Sequence, residues 1–263
     1  MKNKTKRLFS YGLQFLKYRS GAGNWLKENL GWPIKQKYFD KIGIFEKPIE
    51  GEKYVFFPLH FQPEATTLIY GKWYVEQATL IENISKSIPT SHKLYIKEHP
   101  FGYGNRKKRF YNRIKKLPNV RLIGPHEDNF KLIKNCSLLT TITGTGGWEA
   151  TLFQIPVITF GNVFYNVCEE TTKITNIEQL PEIIRNKLDS RIDYANLINF
   201  ITAMFCCSYE GLARLPSDCN DHSLEDKNIK LLVAGIETHI KNKENYLPPH
   251  QKENSKSESA MVA

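Results

Sequence analysis

Between residues 53 and 160 the chain repeats one pattern. A short apolar run is closed by Pro or Gly and followed by a stretch with helical spacing or a helix cap. Tyr54-Val-Phe-Phe57 is closed by Pro58, and Lys93-Leu-Tyr-Ile-Lys97 by His99-Pro100. Asn119-Val-Arg-Leu-Ile123 is closed by Gly124-Pro125, Leu138-Leu-Thr-Thr-Ile142 by a Gly-rich turn, and Val157-Ile-Thr-Phe160 by Gly161. Short near-continuous apolar runs suit strands buried on both faces. Between them, Tyr74, Ala78, Ile81, Ile84 and Ile88 recur at helical spacing until Pro89. Residues 106–117 read as a basic helix closed by Pro118, Asp128 as the N-cap of a helix through Asn135, and Trp148–Phe153 as the start of another. Strands alternating with helices through short loops predict an α/β fold: a doubly wound, Rossmann-like parallel sheet. Its ligands belong beyond the carboxyl ends of the strands.

The flanks read differently. Residues 1–50 form a basic N-terminal segment, expected to hold one amphipathic helix with Leu8, Phe9, Leu13 and Leu16, then an irregular connector with Gly21, Gly23, Gly31 and Pro33. Residues 51–246 form the Rossmann-like domain and its C-terminal helices, on the stripes Ile177, Leu180, Ile184, Leu188 and Ile229, Leu232, Val233, Ile236, Ile240. Residues 247–263 read as a disordered polar tail. No uninterrupted apolar run approaches the ~20 residues of a membrane span. The five cysteines show no regular spacing and no C-x-x-C, so neither a disulfide framework nor a structural zinc is expected. The polar interruptions at Ser10, Tyr11, Gly12, Gln14 and Lys17 do not suit a signal peptide. The expectation is a cytoplasmic protein with reduced thiols.

Charge is uneven. Residues 1–50 carry eleven Lys/Arg against four acids, so +7 of the net +10. Such a segment is expected to attach peripherally to the anionic inner face of the cell membrane. A second basic cluster is Arg106, Lys107, Lys108, Arg109, Arg113, Lys115 and Lys116. Its competing readings are a phosphate-attracting patch and a solvated face. Nucleic acid is not an expected partner, because no binding motif accompanies the charge.

Polar chemistry gathers where the fold would put a ligand. The loop after the first strand holds His60, Gln62, Glu64, Thr66 and Thr67, and the second strand ends in Lys97-Glu98-His99-Pro100. The fourth is followed by Thr143-Gly144-Thr145-Gly146-Gly147-Trp148-Glu149. That loop leads into a helix, whose amides and N-terminus favour an anion. A tight turn with no ligand is the competing reading, since the dinucleotide and P-loop patterns are both absent. Pro100 holds His99 extended, and His60 and His126 rank below it. Glu64 reads either as a general base or as a loop acid capping the next helix.

Taken together, Phe57-Pro-Leu-His-Phe-Gln-Pro-Glu-Ala-Thr-Thr67, Tyr95-Ile-Lys-Glu-His-Pro100, Leu117-Pro-Asn-Val-Arg-Leu-Ile123, Thr143-Gly-Thr-Gly-Gly-Trp-Glu-Ala150 and Ile155-Pro-Val-Ile-Thr-Phe-Gly161 resemble the capsule polysaccharide biosynthesis family. That family includes bacterial Kdo transferases that use CMP-Kdo. The resemblance implies the nucleotide-binding half of a GT-B glycosyltransferase. It implies phosphate contact by His99, nucleotide-sugar binding by Gln62, Lys97, Thr143, Gly144, Thr145, Gly146 and Glu149, and catalysis by Glu64 with His99. Glu64 stands where Kdo-transferase members carry Asp, one methylene shorter.

The expected activity is transfer of a sugar from a CMP-activated donor to a glycan or lipid-linked acceptor of a surface polysaccharide. No cofactor beyond the donor is expected, and no metal, because no Asp-x-Asp occurs. About fifty residues precede the first strand, where the family carries an acceptor domain. A partner subunit supplying that domain is therefore expected. The alternatives are a non-catalytic nucleotide-sugar-binding subunit or truncated remnant, and a nucleotide-sugar epimerase.

Overall fold

The computed structural model describes residues 31–190, 193–212 and 222–246. The helix expected over Leu8–Leu16 and the polar tail lie outside the described residues. The chain divides after Ile198 into two compact units.

The first unit is built on six strands: β1 (Tyr54–Pro58), β2 (Lys93–Lys97), β3 (Val120–Ile123), β4 (Leu138–Thr141), β5 (Val157–Thr159) and β6 (Thr171–Lys173). Every pairing is parallel, in the order β3-β2-β1-β4-β5-β6. This is a doubly wound, Rossmann-like sheet. The sense of winding reverses between β1 and β4, the crevice where such sheets take ligands. The helices are α1 (Trp32–Lys41), α2 (Ala65–Leu68), α3 (Gln77–Ser87), α4 (Lys108–Ile114), α5 (Asn129–Asn135), α6 (Thr145–Leu152), α7 (Leu180–Leu188) and α8 (Tyr194–Cys206), which runs past the boundary.

The apolar runs became strands because both faces of each are covered. Val55 and Phe57 join one core cluster with Ile81 and Ile84 of α3, Ile114 of α4 and Ile184 of α7. Tyr54 stacks on Tyr95 at 3.9 Å between ring centroids. Its hydroxyl donates to Leu132 O of α5 at 2.7 Å. Each fully buried Val or Phe contributes roughly 1.5–3 kcal/mol. Asp128 caps α5 as its sequence predicts, accepting from Phe130 N at 2.9 Å and Lys131 N at 3.2 Å.

Two elements differ from the sequence expectation. Residues 32–41, within the segment read as a connector, form α1. Pro33 falls in its first turn, where proline is tolerated, and Phe39 packs edge-on against Tyr111 at 5.1 Å. α6 begins at Thr145, inside the Gly-rich loop, rather than at Trp148.

The second unit contains α9 (His222–Tyr246). Asn228 clasps the main chain of Leu212, accepting from its N at 2.7 Å and donating to its O at 2.9 Å. Tyr209 packs over Gly235 and meets His239 edge-on. Ile229, Val233, Ile236 and Ile240 of the α9 stripe are exposed. No helix among the described residues is long and apolar enough to cross a membrane.

Candidate active site

β1 lies between β2 and β4, with Pro58 opposite Lys97 and Phe56 opposite Leu139. That register sets the loops after β1, β2 and β4 side by side. They enclose a cavity of about 410 Å³ lined by residues including His60, Glu64, Lys97, His99, Asn129 and Thr143–Gly146. Seven of the residues expected at the site meet here: Glu64, Lys97, His99, Thr143, Gly144, Thr145 and Gly146.

Each is held by its own device. Lys97 ends β2 with its ammonium buried and donating to Pro125 O at 3.2 Å. Burial lowers its pKa, opposed by the charges of Glu98, Asp128 and Glu127. His99 Nδ1 accepts from Phe101 N at 3.2 Å, so the neutral ring carries its proton on Nε2. The ring forms a three-ring cluster with Phe61 and Phe101, its centroid 6.0 and 5.7 Å from theirs and theirs 6.4 Å apart. Burial lowers the His99 pKa, and the nearby charge of Glu64 is the largest opposing influence. Glu64 itself is exposed at the rim, where Thr66 Oγ1 donates to its carboxylate at 3.2 Å. It occupies the N-cap position of α2, but its side chain makes no capping bond, which answers the loop-acid alternative in part.

The Gly-rich loop is packed from beneath. Tyr165 donates its hydroxyl to Gly144 O at 2.5 Å, and a Cβ at Gly147 would stand 2.4 Å from the Tyr165 hydroxyl oxygen. Gly144 is equally confined: its Cβ would meet Thr141 Oγ1 at 2.8 Å. Both positions need glycine for close approach. Thr143 donates its hydroxyl to Thr66 O at 3.0 Å, tying this loop to the one after β1.

Two expected residues lie outside the cavity lining. Gln62 is a strut between loops: it donates to Val75 O at 2.9 Å and accepts from Gln77 Nε2 at 2.9 Å. Glu149 accepts from Asn129 Nδ2 at 3.3 Å, so it reaches the cavity only through Asn129.

Sequence reasoning missed the residues that brace this site. Glu98 is fully buried, accepts from Arg106 Nε at 3.0 and 3.1 Å, from Tyr111 Oη at 2.6 Å and from His99 N at 2.7 Å. Arg106 also donates to His60 O. The basic cluster is thus partly structural. Arg113 pairs with Glu82 at 2.7 Å and Lys115 donates to Ile44 O at 3.0 Å. A helical strand–loop count could have placed Arg106 beside Glu98, eight residues earlier, because a single tight loop joins them.

His60 is buried, with Nε2 accepting from Thr143 N at 3.1 Å. Desolvation, with Arg106 and His99 adding like charge, holds its pKa down at about 4. The unfolded imidazole titrates near 6.5, so acidification protonates the unfolded chain first. The stability this group contributes is complete above pH 6.5 and is lost as pH falls through 4, about 3 kcal/mol in all. Denaturant titrations between those limits should show wild type losing more stability than His60→Gln. Equal losses would show that the ring protonates freely in the folded protein.

No curated protein matches the sequence. Similar solved structures include a beta Kdo 2,7 transferase, KpsC of Thermosulfurimonas dismutans. It is 14% identical, with 63% of this chain and 51% of that one covered and a TM-score of 0.42. UDP-GlcNAc 2-epimerase of Methanocaldococcus jannaschii is 18% identical over 67% of this chain and 52% of its own, TM-score 0.44. Anabaena Alr3699/HepE, solved with UDP and glucose, is 16% identical over 66% and 52%, TM-score 0.38. The chain spans about half the length of these proteins. The family described as capsule polysaccharide biosynthesis protein matches residues 34–196, a span that contains every strand and the whole cavity. The chain belongs to the capsule polysaccharide biosynthesis protein family.

Proposed function

We propose that the chain is a glycosyltransferase that moves a sugar, Kdo in our reading, from a CMP-activated donor to a glycan or lipid-linked acceptor of a surface polysaccharide. One observation carries this reading. Three strand-end loops converge on one cavity with a set of hydrogen-bond donors on its wall, whose chemistry suits a phosphate, and a carboxylate on its rim. The set comprises the Nε2–H of His99, the buried ammonium of Lys97 and the N-terminus of α6.

The chemistry follows from that arrangement. Departure of the nucleotide leaves negative charge on its phosphate. Fixed donors in a desolvated site stabilise that charge without reorganisation. In this reading Glu64 accepts the proton of the attacking hydroxyl. The acceptor half of the cleft is assigned to a partner subunit, and attachment to an anionic membrane to the basic segment 1–50. Both belong to this proposal. So does a cytoplasmic location.

Calorimetric titration with CMP, UDP and CDP, followed by turnover of CMP-Kdo, tests the reading. Binding of CMP above the others with release of Kdo to an acceptor supports it. Binding without transfer supports a nucleotide-sugar-binding subunit instead, and binding of none removes both. His99→Ala should weaken CMP binding about tenfold, the ~1.4 kcal/mol of one charge-assisted hydrogen bond. Its melting temperature should stay close to wild type, because the ring only accepts a loop amide. Since burial keeps His99 neutral at pH 7, wild-type affinity should rise as pH falls below the imidazole range and the ring gains charge. A large loss of stability with unaltered affinity would make His99 structural.

A further inference from the structure

We propose that His60 is a positioning residue: by holding the amide of Thr143 from below, it presents the amides of Thr145 and Gly146 to the anion. The proposal rests on the donor reading above for the identity of that anion, a nucleotide phosphate, and on the loop's own geometry for the rest.

The Thr143 amide donates to His60 Nε2 at 3.1 Å. The Gly144 amide donates to Thr141 Oγ1 at 3.0 Å, and that oxygen lies 3.3 Å from the same His60 nitrogen. Gly147 N donates to Gly144 O at 3.1 Å. Among the described residues the amides of Thr145 and Gly146 donate to nothing outside or inside α6. They are the first amides of an eight-residue helix, and both residues line the cavity. The free donors are thus not spread over the whole Gly-rich loop. They are two neighbouring amides at a helix N-terminus, where the dipole also favours an anion.

His60 is built to hold this arrangement. Its main chain is clamped on both sides, its N donating to Gln77 Oε1 at 2.9 Å and its O accepting from Gln77 Nε2 at 3.0 Å. Arg106 adds a second bond to that carbonyl. The ring Nδ1 is buried and has no hydrogen-bond partner. With Nε2 accepting, Nδ1 carries the proton, so a donor is left unsatisfied. An apolar side chain of similar volume would avoid that cost. What it could not do is accept from Thr143. The ring therefore keeps an acceptor where the loop needs one, at the expense of its other nitrogen. It also connects two sides of the site: Arg106 ties His60 to Glu98, which accepts from His99 N. The loop that offers the amides and the loop that offers the imidazole share one brace.

The test needs no assumption about turnover. Hydrogen exchange is followed in the ligand-free chain for wild type, His60→Leu and His60→Gln. Leu removes the acceptor, and Gln returns one at similar reach. Exchange of residues 141–147 should rise at least tenfold in His60→Leu while β5 and β6 stay within twofold, and His60→Gln should recover most of the protection. Affinity for CMP and for inorganic pyrophosphate should fall about tenfold in His60→Leu and return in His60→Gln. Unchanged exchange over 141–147 in folded His60→Leu overturns the proposal. If that variant does not fold, His60→Phe, which keeps a planar ring and removes the acceptor for Thr143 N, carries the same measurement with the same two outcomes. Loosened exchange in a chain whose wild type binds neither CMP nor pyrophosphate overturns the donor reading and supports the hold of His60 on the loop.

Discussion

Glu98→Gln should cost the first unit about 3–5 kcal/mol, the loss typical of breaking a buried ion pair from one side. The carboxylate is wholly buried and Arg106 is 12% exposed, so the guanidinium would be left charged with little water to compensate it. Tyr111 and the His99 amide would lose an ionised acceptor at the same time. At roughly 2–4 °C per kcal/mol the melting temperature should drop by about 10 °C. Urea titration is the clearest measurement, because a lower midpoint with an unchanged slope reports lost stability alone. CMP affinity should fall in the same variant, since the strut under His99 is gone. A loss under about 1 kcal/mol would mean that Arg106 finds water or another acceptor, as exposed pairs do.

Glu64→Gln carries the largest expected effect on activity. General-base catalysis contributes about 10²–10⁴-fold, so transfer from CMP-Kdo should fall by that factor. The amide keeps an oxygen for Thr66 and keeps the side-chain shape, so folding and CMP affinity should stay within about twofold. That split, rate lost and binding retained, marks an interaction made in the transition state. Turnover at the wild-type rate would leave Glu64 as a rim acid with no part in the chemistry. Glu64→Asp separates charge from reach, since a ~1 Å displacement alone can cost ~100-fold.

The sheet was legible because β1, β2, β4 and β5 are buried almost throughout and so write themselves as short, mainly apolar runs, and the edge strand β3 keeps Leu122 and Ile123 buried at its end. β6 follows no such rule. Thr171-Thr-Lys173 sits at the sheet edge with one residue exposed, and its composition is that of a loop. α1 was hidden by Pro33, which reads as a breaker although its place in the first turn makes it harmless. At the site, the residues near strand ends were found, but not the direction in which each side chain points. Gln62 stands two residues from each of His60 and Glu64, which line the cavity, and its amide turns instead to Val75 and Gln77. His60 was ranked behind His99 because a lone histidine in an apolar run carries no sign of what it accepts. Glu98 was overshadowed by its neighbours in Lys97-Glu98-His99-Pro100, since its partners Arg106 and Tyr111 come from a following loop and helix.

The braces of this site act mainly on main-chain atoms. Arg106 and Gln77 hold the carbonyl of His60, Glu98 holds the amide of His99, and His60 holds the amide of Thr143. A scaffold that grips the backbone leaves the side chains around it free to vary. Thr66, Asn129 and Thr145 face the cavity without belonging to that grip. Substitution at these three positions can therefore reshape what the cavity selects while the frame around it stays the same. Selectivity can drift at these three positions without dismantling the frame.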